Sequence, residues 1–445
     1  MVNGYAGIKC CNEVVRVKSA DDELKVGYVG KAFIWLWLVV ALSISMLVLP
    51  VVDRHSPGFD FVIYSNEAIH VLKGIDPFDV LVGNVKSEGY YPLGSEESAA
   101  CLAGTIDANA PWSYTYILPF AADIPKDVIW QIWELCQFLF LGLIVAFAFW
   151  IGKTSHGFYG GIFVASVALS VGLTFTRNFL FGNLIMAVAA GMAGMIFCLD
   201  RKWDVAAGIC WAVAVIKPQD SFLLAIPLII AKKWKTVFVA AAISLAATYI
   251  ASQLIGKSMV ELILEVPKIK HTAALSVNFL PDAFSQSLVA KGVSVDLMQG
   301  LNMLIGILLC IFMSWCLRKS EDWLIRFAPP VFCATLWTYM NDYDRCIFFV
   351  LQIVFACRLL SAKSKSERFA MALMILVTFC SCLELVGMFT GVLGSIGEFI
   401  GVSNFVEHFL SFIYYLTLVS TTLLGIGLLV MCIKFAFGAK KENVI

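Results

Sequence analysis

The sequence predicts an all-α polytopic integral membrane protein with about 12 transmembrane helices. Three observations carry this: an apolar composition, a series of unbroken apolar runs, and a lopsided distribution of Lys and Arg between the connecting segments. Sixty per cent of the 445 residues are hydrophobic, mean hydropathy is +0.85, and only 14% are charged. An ordinary soluble domain carries roughly 25% charged residues, so this chain lacks the polar groups to cover a water-facing surface and needs a bilayer. Net charge is zero, which gives no sign of a nucleic-acid partner.

The first apolar run, 32–52, follows a polar segment, 1–31, of mixed charge. It is long enough for a hydrocarbon core of about 30 Å, which takes roughly 20 helical residues. Without an Ala-x-Ala-like cleavage site it reads as a retained span and not a signal peptide. Further runs follow at 128–151, 158–175, 183–199, 205–216, 219–231, 236–256, 298–317, 324–340, 346–361, 369–390 and 408–433. Backbone polar groups in lipid must be satisfied within the segment, which makes these runs helices. Barrel strands would alternate apolar and polar residues, and these do not.

With the N-terminus inside, Lys and Arg divide about two to one in favour of the cytoplasmic segments, most clearly in the short loops 200–204, 231–235 and 361–368. The positive-inside rule then puts both termini, 1–31 and the tail 434–445, in the cytoplasm of a plasma-membrane protein, with 32–433 as one transmembrane domain. Two extracytoplasmic loops, about 53–127 and 257–297, are too long for simple connectors and are expected to carry function. Most of the fourteen cysteines fall inside apolar runs, as small packing residues do. No Cys/His pair has zinc spacing, so neither a disulfide framework nor a metal site is expected.

Within the first loop, Phe61, Tyr64, Ala68 and Leu72 recur at helical spacing, with Asp60 and Glu67 on a more polar side. Gly74 supplies a stop and Asp76-Pro77 a turn. The expectation is an amphipathic helix over 60–73, lying at the outer membrane surface.

Ionisable residues between spans are costly and usually line a cavity. Four clusters map to the outer side: Asp53-Arg54-His55 with Asp60, Arg177-Asn178, Lys217-Pro218-Gln219-Asp220, and Asn341-Asp342-Tyr343-Asp344-Arg345. Such residues also serve merely as helix-end anchors, but four clusters in one leaflet favour a site. Carboxylates beside cations suit glycosyl transfer from a phosphate donor: an acid deprotonates the acceptor hydroxyl, and cations such as Arg177, Lys217 and Arg345 stabilise the departing phosphate.

At these residues the chain resembles the polyprenol-phosphate-dependent mannosyl- and arabinofuranosyltransferases of glycosyltransferase family 87, membrane enzymes of the GT-C type. Asp60-Phe61-Val62-Ile63-Tyr64 followed by Gly74-Ile75-Asp76-Pro77-Phe78 is similar to the family's segment after the first span. Gly182-Asn183, Ala207-Gly208 and Ile216-Lys217-Pro218-Gln219 resemble its Gly-Gln/Asn…Ala-Gly…Lys-Pro-Gln series, and Asp342-Tyr343-Asp344 a late His-Asp-Tyr-Asp-Leu-like motif. Asn341 stands where histidine is common and Arg345 where leucine is common, so the resemblance does not specify sugar or acceptor. It spans roughly 32–360.

The resemblance implies a GT-C fold, a polyprenyl-phosphate sugar donor, a glycolipid or glycan acceptor of the cell envelope, and an active site facing outside. It implies Asp60 as catalytic base with Asp53 as runner-up, and substrate contacts from Tyr64, Asn183, Gln219, Asp342, Tyr343 and Asp344. No nucleotide-binding Gly-rich loop and no Asp-x-Asp metal motif is visible, so no cofactor is expected. The rival reading, a lipid-linked sugar transporter or flippase, would use the same charges for passage and calls for two related halves, which the sequence does not display.

Overall fold

The computed structural model describes residues 58–81, 110–266, 291–337, 342–380 and 403–438. These residues form helices joined by short turns and 3₁₀ segments, with no strand among them. The expected first span and Asp53 lie outside the described residues, as do 82–109 of the first long loop and 267–290 of the second.

Among the described residues, three helices are long and apolar enough to cross a bilayer: Lys126–Val171, Trp234–Ile255 and Val419–Phe437. Only 33%, 33% and 28% of their most apolar windows are buried inside the protein. Side chains such as Leu139, Phe238 and Ile426 are exposed. Apolar surface on that scale is stable against lipid and not against water. Five further apolar helices among the described residues are shorter, including Ile185–Asp200, Asp204–Ala214 and Pro218–Ile230.

The first long helix is not straight. His156 (φ −140°, ψ 16°) and Gly157 (φ 74°, ψ −175°) leave the helical region, and only glycine adopts the second of these conformations readily. A Cβ on Gly161 would stand 2.8 Å from the Phe149 carbonyl oxygen. In a straight helix those positions would be about 18 Å apart at 1.5 Å per residue. The chain therefore doubles back at 156–157, where the sequence separates the runs 128–151 and 158–175.

Ile185–Asp200 is the central helix, buried on nearly every side by Ala, Gly, Met and Val packing. It packs against Asp204–Ala214, Lys126–Ala168 and the 3₁₀ segment Asp342–Phe348. A second, aromatic core joins Phe61, Tyr64, Phe120, Trp130 and Trp133.

The helix expected at the outer surface is present at Phe59–Leu72, but it is not a surface helix. Phe61, Tyr64 and Ala68 of its apolar side and Ser65, Asn66, Glu67 and His70 of its polar side are buried, while Leu72 at its end is exposed. The reason is tertiary. The Pro111–Ile117 helix, the 3₁₀ turn Leu118–Ala121, Gly172–Phe181 and Trp234–Ile255 all pack on it. Local bonds help to satisfy the buried polar groups: Ser65 Oγ donates to the Phe61 carbonyl at 2.9 Å, and His70 Nδ1 to that of Asn66 at 2.7 Å. A carbonyl only accepts, so Nδ1 carries a proton.

Past the Gly74 stop, Asp76 Oδ1 accepts from Phe78 N at 2.9 Å, the turn that Asp76-Pro77 predicts. Its other oxygen meets Lys257 Nζ at 2.6 Å, and Asp79 and Glu265 approach the same ammonium at 2.8 and 3.0 Å. This hub ties the segment after Phe59–Leu72 to the one after Trp234–Ile255, a link that residues so distant in sequence did not reveal. Burial works against the Lys257 charge, but the hydrogen-bonded carboxylates outweigh it and hold its pKa above the usual lysine range. Burial pushes the Glu265 carboxyl up, with Lys257 pulling the other way. A carboxyl with a raised native pKa contributes stability that is complete below its unfolded-state pKa and lost as pH rises through the native one. Wild-type protein should therefore gain thermal stability between pH 7 and about 4.5, relative to Glu265→Gln. Parallel melting curves across that window would refute the assignment.

Candidate functional site

Four segments far apart in sequence converge on one buried polar chain. Asp60 enters from the first turn of Phe59–Leu72. Asn183 enters from the turn after Gly172–Phe181, where Gly182 caps the helix in the left-handed region (φ 72°). Lys217 stands at a break between Asp204–Ala214 and Pro218–Ser221, and Asp344 in the 3₁₀ segment Asp342–Phe348.

Asn183 is the junction. Its Nδ2 donates to Asp60 Oδ2 at 2.6 Å, while its Oδ1 accepts from Ile185 N at 2.8 Å and from Lys217 Nζ at 3.2 Å. Both ends of the carboxamide are matched, which settles its orientation. Lys217 Nζ also pairs with Asp344 Oδ1 at 2.6 Å, with side chains 4% and 0% exposed. Asp220 and Asp60 act electrostatically on the same ammonium. A buried cation is tolerable only with partners of this kind.

The break at Lys217 follows from Pro218. A residue before proline is pushed from the helical to the extended region, and Lys217 sits at φ −108°, ψ 92°. Carbonyls at the interrupted helix end need other donors. Trp112 Nε1 donates to Val215 O at 2.8 Å, Ser113 Oγ to Ile216 O at 2.5 Å, and Ser221 Oγ to Ala214 O at 2.6 Å. Trp112, Ser113 and Ser221 thus hold the backbone that aims Lys217. Sequence reasoning missed them, because Trp112 and Ser113 fall in the long loop 53–127 and Ser221 in an apolar run, and no motif marks any of the three.

Gly182 is closely enclosed. Its carbonyl accepts from Trp133 Nε1 at 2.8 Å. A Cβ there would meet Trp130 Cζ3 at 2.6 Å and Phe61 Cβ at 2.8 Å, on a backbone unfavourable for an L side chain. Gly182→Ala should cost about 2–4 kcal/mol, from the left-handed conformation together with overpacking. Thermal denaturation in detergent measures it, and a loss below about 0.5 kcal/mol would contradict the packing.

Of the residues expected at a site, Asp60, Asn183, Lys217 and Asp344 are brought together. Arg345 is buried next to Asp344, and Gln219 is buried two residues beyond Lys217. Tyr64 is buried one turn after Asp60, with its ring 6.4 Å from that of Phe120 in the aromatic core. Asn178 lies on Gly172–Phe181 and bonds Thr174 O at 2.8 Å. The side chains of Arg177, Asp342 and Tyr343 lie outside the described residues.

Helices long enough to cross a bilayer, joined to a buried network of carboxylates, a carboxamide and an ammonium, define a helical membrane protein with a polar centre. Comparison with known proteins finds no matching family model, no matching curated protein and no matching solved structure.

Proposed function

We propose that the chain is a membrane glycosyltransferase of the GT-C type, resembling family 87, with about 12 crossings and both termini in the cytoplasm. It moves a hexosyl or pentosyl unit from a polyprenyl-phosphate donor to a cell-envelope glycolipid or glycan on the outer face. The observation that carries this reading is the Asp60–Asn183–Lys217–Asp344 chain, in which each of the three resembling motifs supplies at least one member. Residues kept only to anchor separate helix ends have no reason to meet.

In this reading the acceptor hydroxyl attacks the anomeric carbon as Asp60 takes its proton, and the bond from that carbon to the phosphate oxygen breaks. Asn183 holds the Asp60 carboxylate in place. Lys217, balanced at rest by Asp344, turns its charge to the phosphate leaving group, together with Arg177 and Arg345. A single displacement inverts the anomeric centre.

The decisive experiment incubates purified protein in detergent with a panel of polyprenyl-phosphate sugars and envelope acceptors. Transfer of label to the acceptor supports the reading. The broken helix at Lys217 also suits a lipid-linked sugar transporter, since discontinuous helices form midplane sites in that class. Absence of transfer across the panel, with movement of a lipid-linked sugar across proteoliposomes, would establish that rival instead.

A further inference from the structure

The helices Ile185–Asp200 and Ala225–Ile230 end in two turns that repeat one design. Ile185–Asp200 ends with Lys202 N bonded to Leu199 O and Trp203 N to Cys198 O. Ala225–Ile230 ends with Lys232 N bonded to Ile229 O and Lys233 N to Leu228 O. Both are Schellman motifs, and each places a lysine in the left-handed position where glycine is the usual occupant: Lys202 at φ 61° and Lys232 at φ 57°. Among the described residues these are the only non-glycine residues with positive φ. Strain accepted at such positions is a reason to look for function.

The first turn lines an open cleft of about 500 Å³ bounded by Lys202, Trp203, Asp204, Val205, Ile209 and Lys235, the last of these two residues beyond the second turn. That volume lies within the usual range of ligand pockets. The one carboxylate in the lining, Asp204, is engaged by Lys233 Nζ at 2.7 Å, so Lys202 and Lys235 leave the cleft positive. Arg201 sits among the Phe197, Trp150 and Trp203 rings, 4.8, 5.5 and 5.9 Å from their centroids. Lys235 lies in the first turn of Trp234–Ile255, a helix long and apolar enough to cross a bilayer, so the cleft stands at a membrane boundary. Trp203 and Trp234 are about half exposed there, as indoles at such boundaries are. Val205 and Ile209, also more than half exposed, continue the lining one turn into the apolar zone.

We propose that this cleft binds the headgroup of an anionic phospholipid, with its phosphate between Lys202 and Lys235 and an acyl chain along Val205 and Ile209. Charge complementarity selects an anion, and the apolar floor selects one that carries a hydrocarbon chain. The inference is independent of the glycosyltransferase reading.

The test uses the purified full chain in a neutral detergent, with native mass spectrometry and thermal denaturation as readouts. Phosphatidylglycerol is added in one arm, phosphatidylcholine in a second, and glycerol phosphate without acyl chains in a third. Phosphatidylglycerol alone should remain bound and raise the melting temperature. Lys202→Gly combined with Lys235→Gln should weaken its binding roughly 30-fold, from two lysines each contributing near an anionic lipid. Glycine relieves the left-handed strain, so the lipid-free variant should melt at the same temperature or higher. Retained phosphatidylglycerol selectivity in that variant overturns the proposal. So does equal stabilisation by phosphatidylcholine, or full replacement by glycerol phosphate. Lys235→Gln alone, which leaves the turn intact, should show a smaller loss in the same direction; wild-type binding in that variant would also count against the site.

Discussion

Asp60→Asn is expected to lower turnover by roughly 10²–10⁴-fold, the contribution of a general base, equivalent to about 3–5 kcal/mol in the barrier. The substitution keeps the shape of the side chain and an oxygen able to accept from Asn183 Nδ2, a bond of 2.6 Å in the native protein. Folding and donor binding should therefore survive, and the loss should fall on the chemical step. Single-turnover measurements with a polyprenyl-phosphate sugar separate the two. Asp53→Asn should do much less. Near-full turnover in Asp60→Asn, with loss in Asp53→Asn or Asp342→Asn, would move the base to another residue while leaving the class of reaction intact.

The second large effect belongs to the Lys217–Asp344 pair. Both side chains are almost wholly buried at 2.6 Å, so removing either partner leaves an uncompensated charge, at a cost of about 3–5 kcal/mol. Lys217→Met and Asp344→Leu should each lower the melting temperature sharply or reduce the folded yield. The double variant buries no unpaired charge from this pair and should recover most of that stability. Its activity is the informative quantity. If Lys217 receives the donor phosphate, the refolded double variant stays inactive per folded molecule. If it turns over like wild type, the pair is structural.

Much of the fold was legible because its cause is local. Continuous apolar runs require internally satisfied backbone, so helices at 126–168, 185–200, 234–255 and 403–438 follow from composition and length. The breaks were equally local: Pro218 forbids a helical Lys217, and Gly182, Gly157 and Gly74 accept backbone conformations that other residues resist. Asp60, Asn183, Lys217 and Asp344 were legible as candidates because polar groups in an apolar setting carry a high energetic cost.

What each of those groups touches was not legible. The helix Phe59–Leu72 has a polar side, and a pattern of that kind reads as water-facing; here it is covered by four other elements, and Ser65 and His70 bond carbonyls of the same helix. The Lys257–Asp76 pair and the carbonyl capping by Trp112 and Ser113 join positions too distant for any window to compare. The sequence by itself determined an all-helical chain suited to a bilayer and the residues that must find polar partners there. Only the tertiary structure decided which partners, because a hydrogen bond of under 3 Å between residues 60 and 183 depends on how whole helices pack, and periodicity along one helix does not encode that geometry.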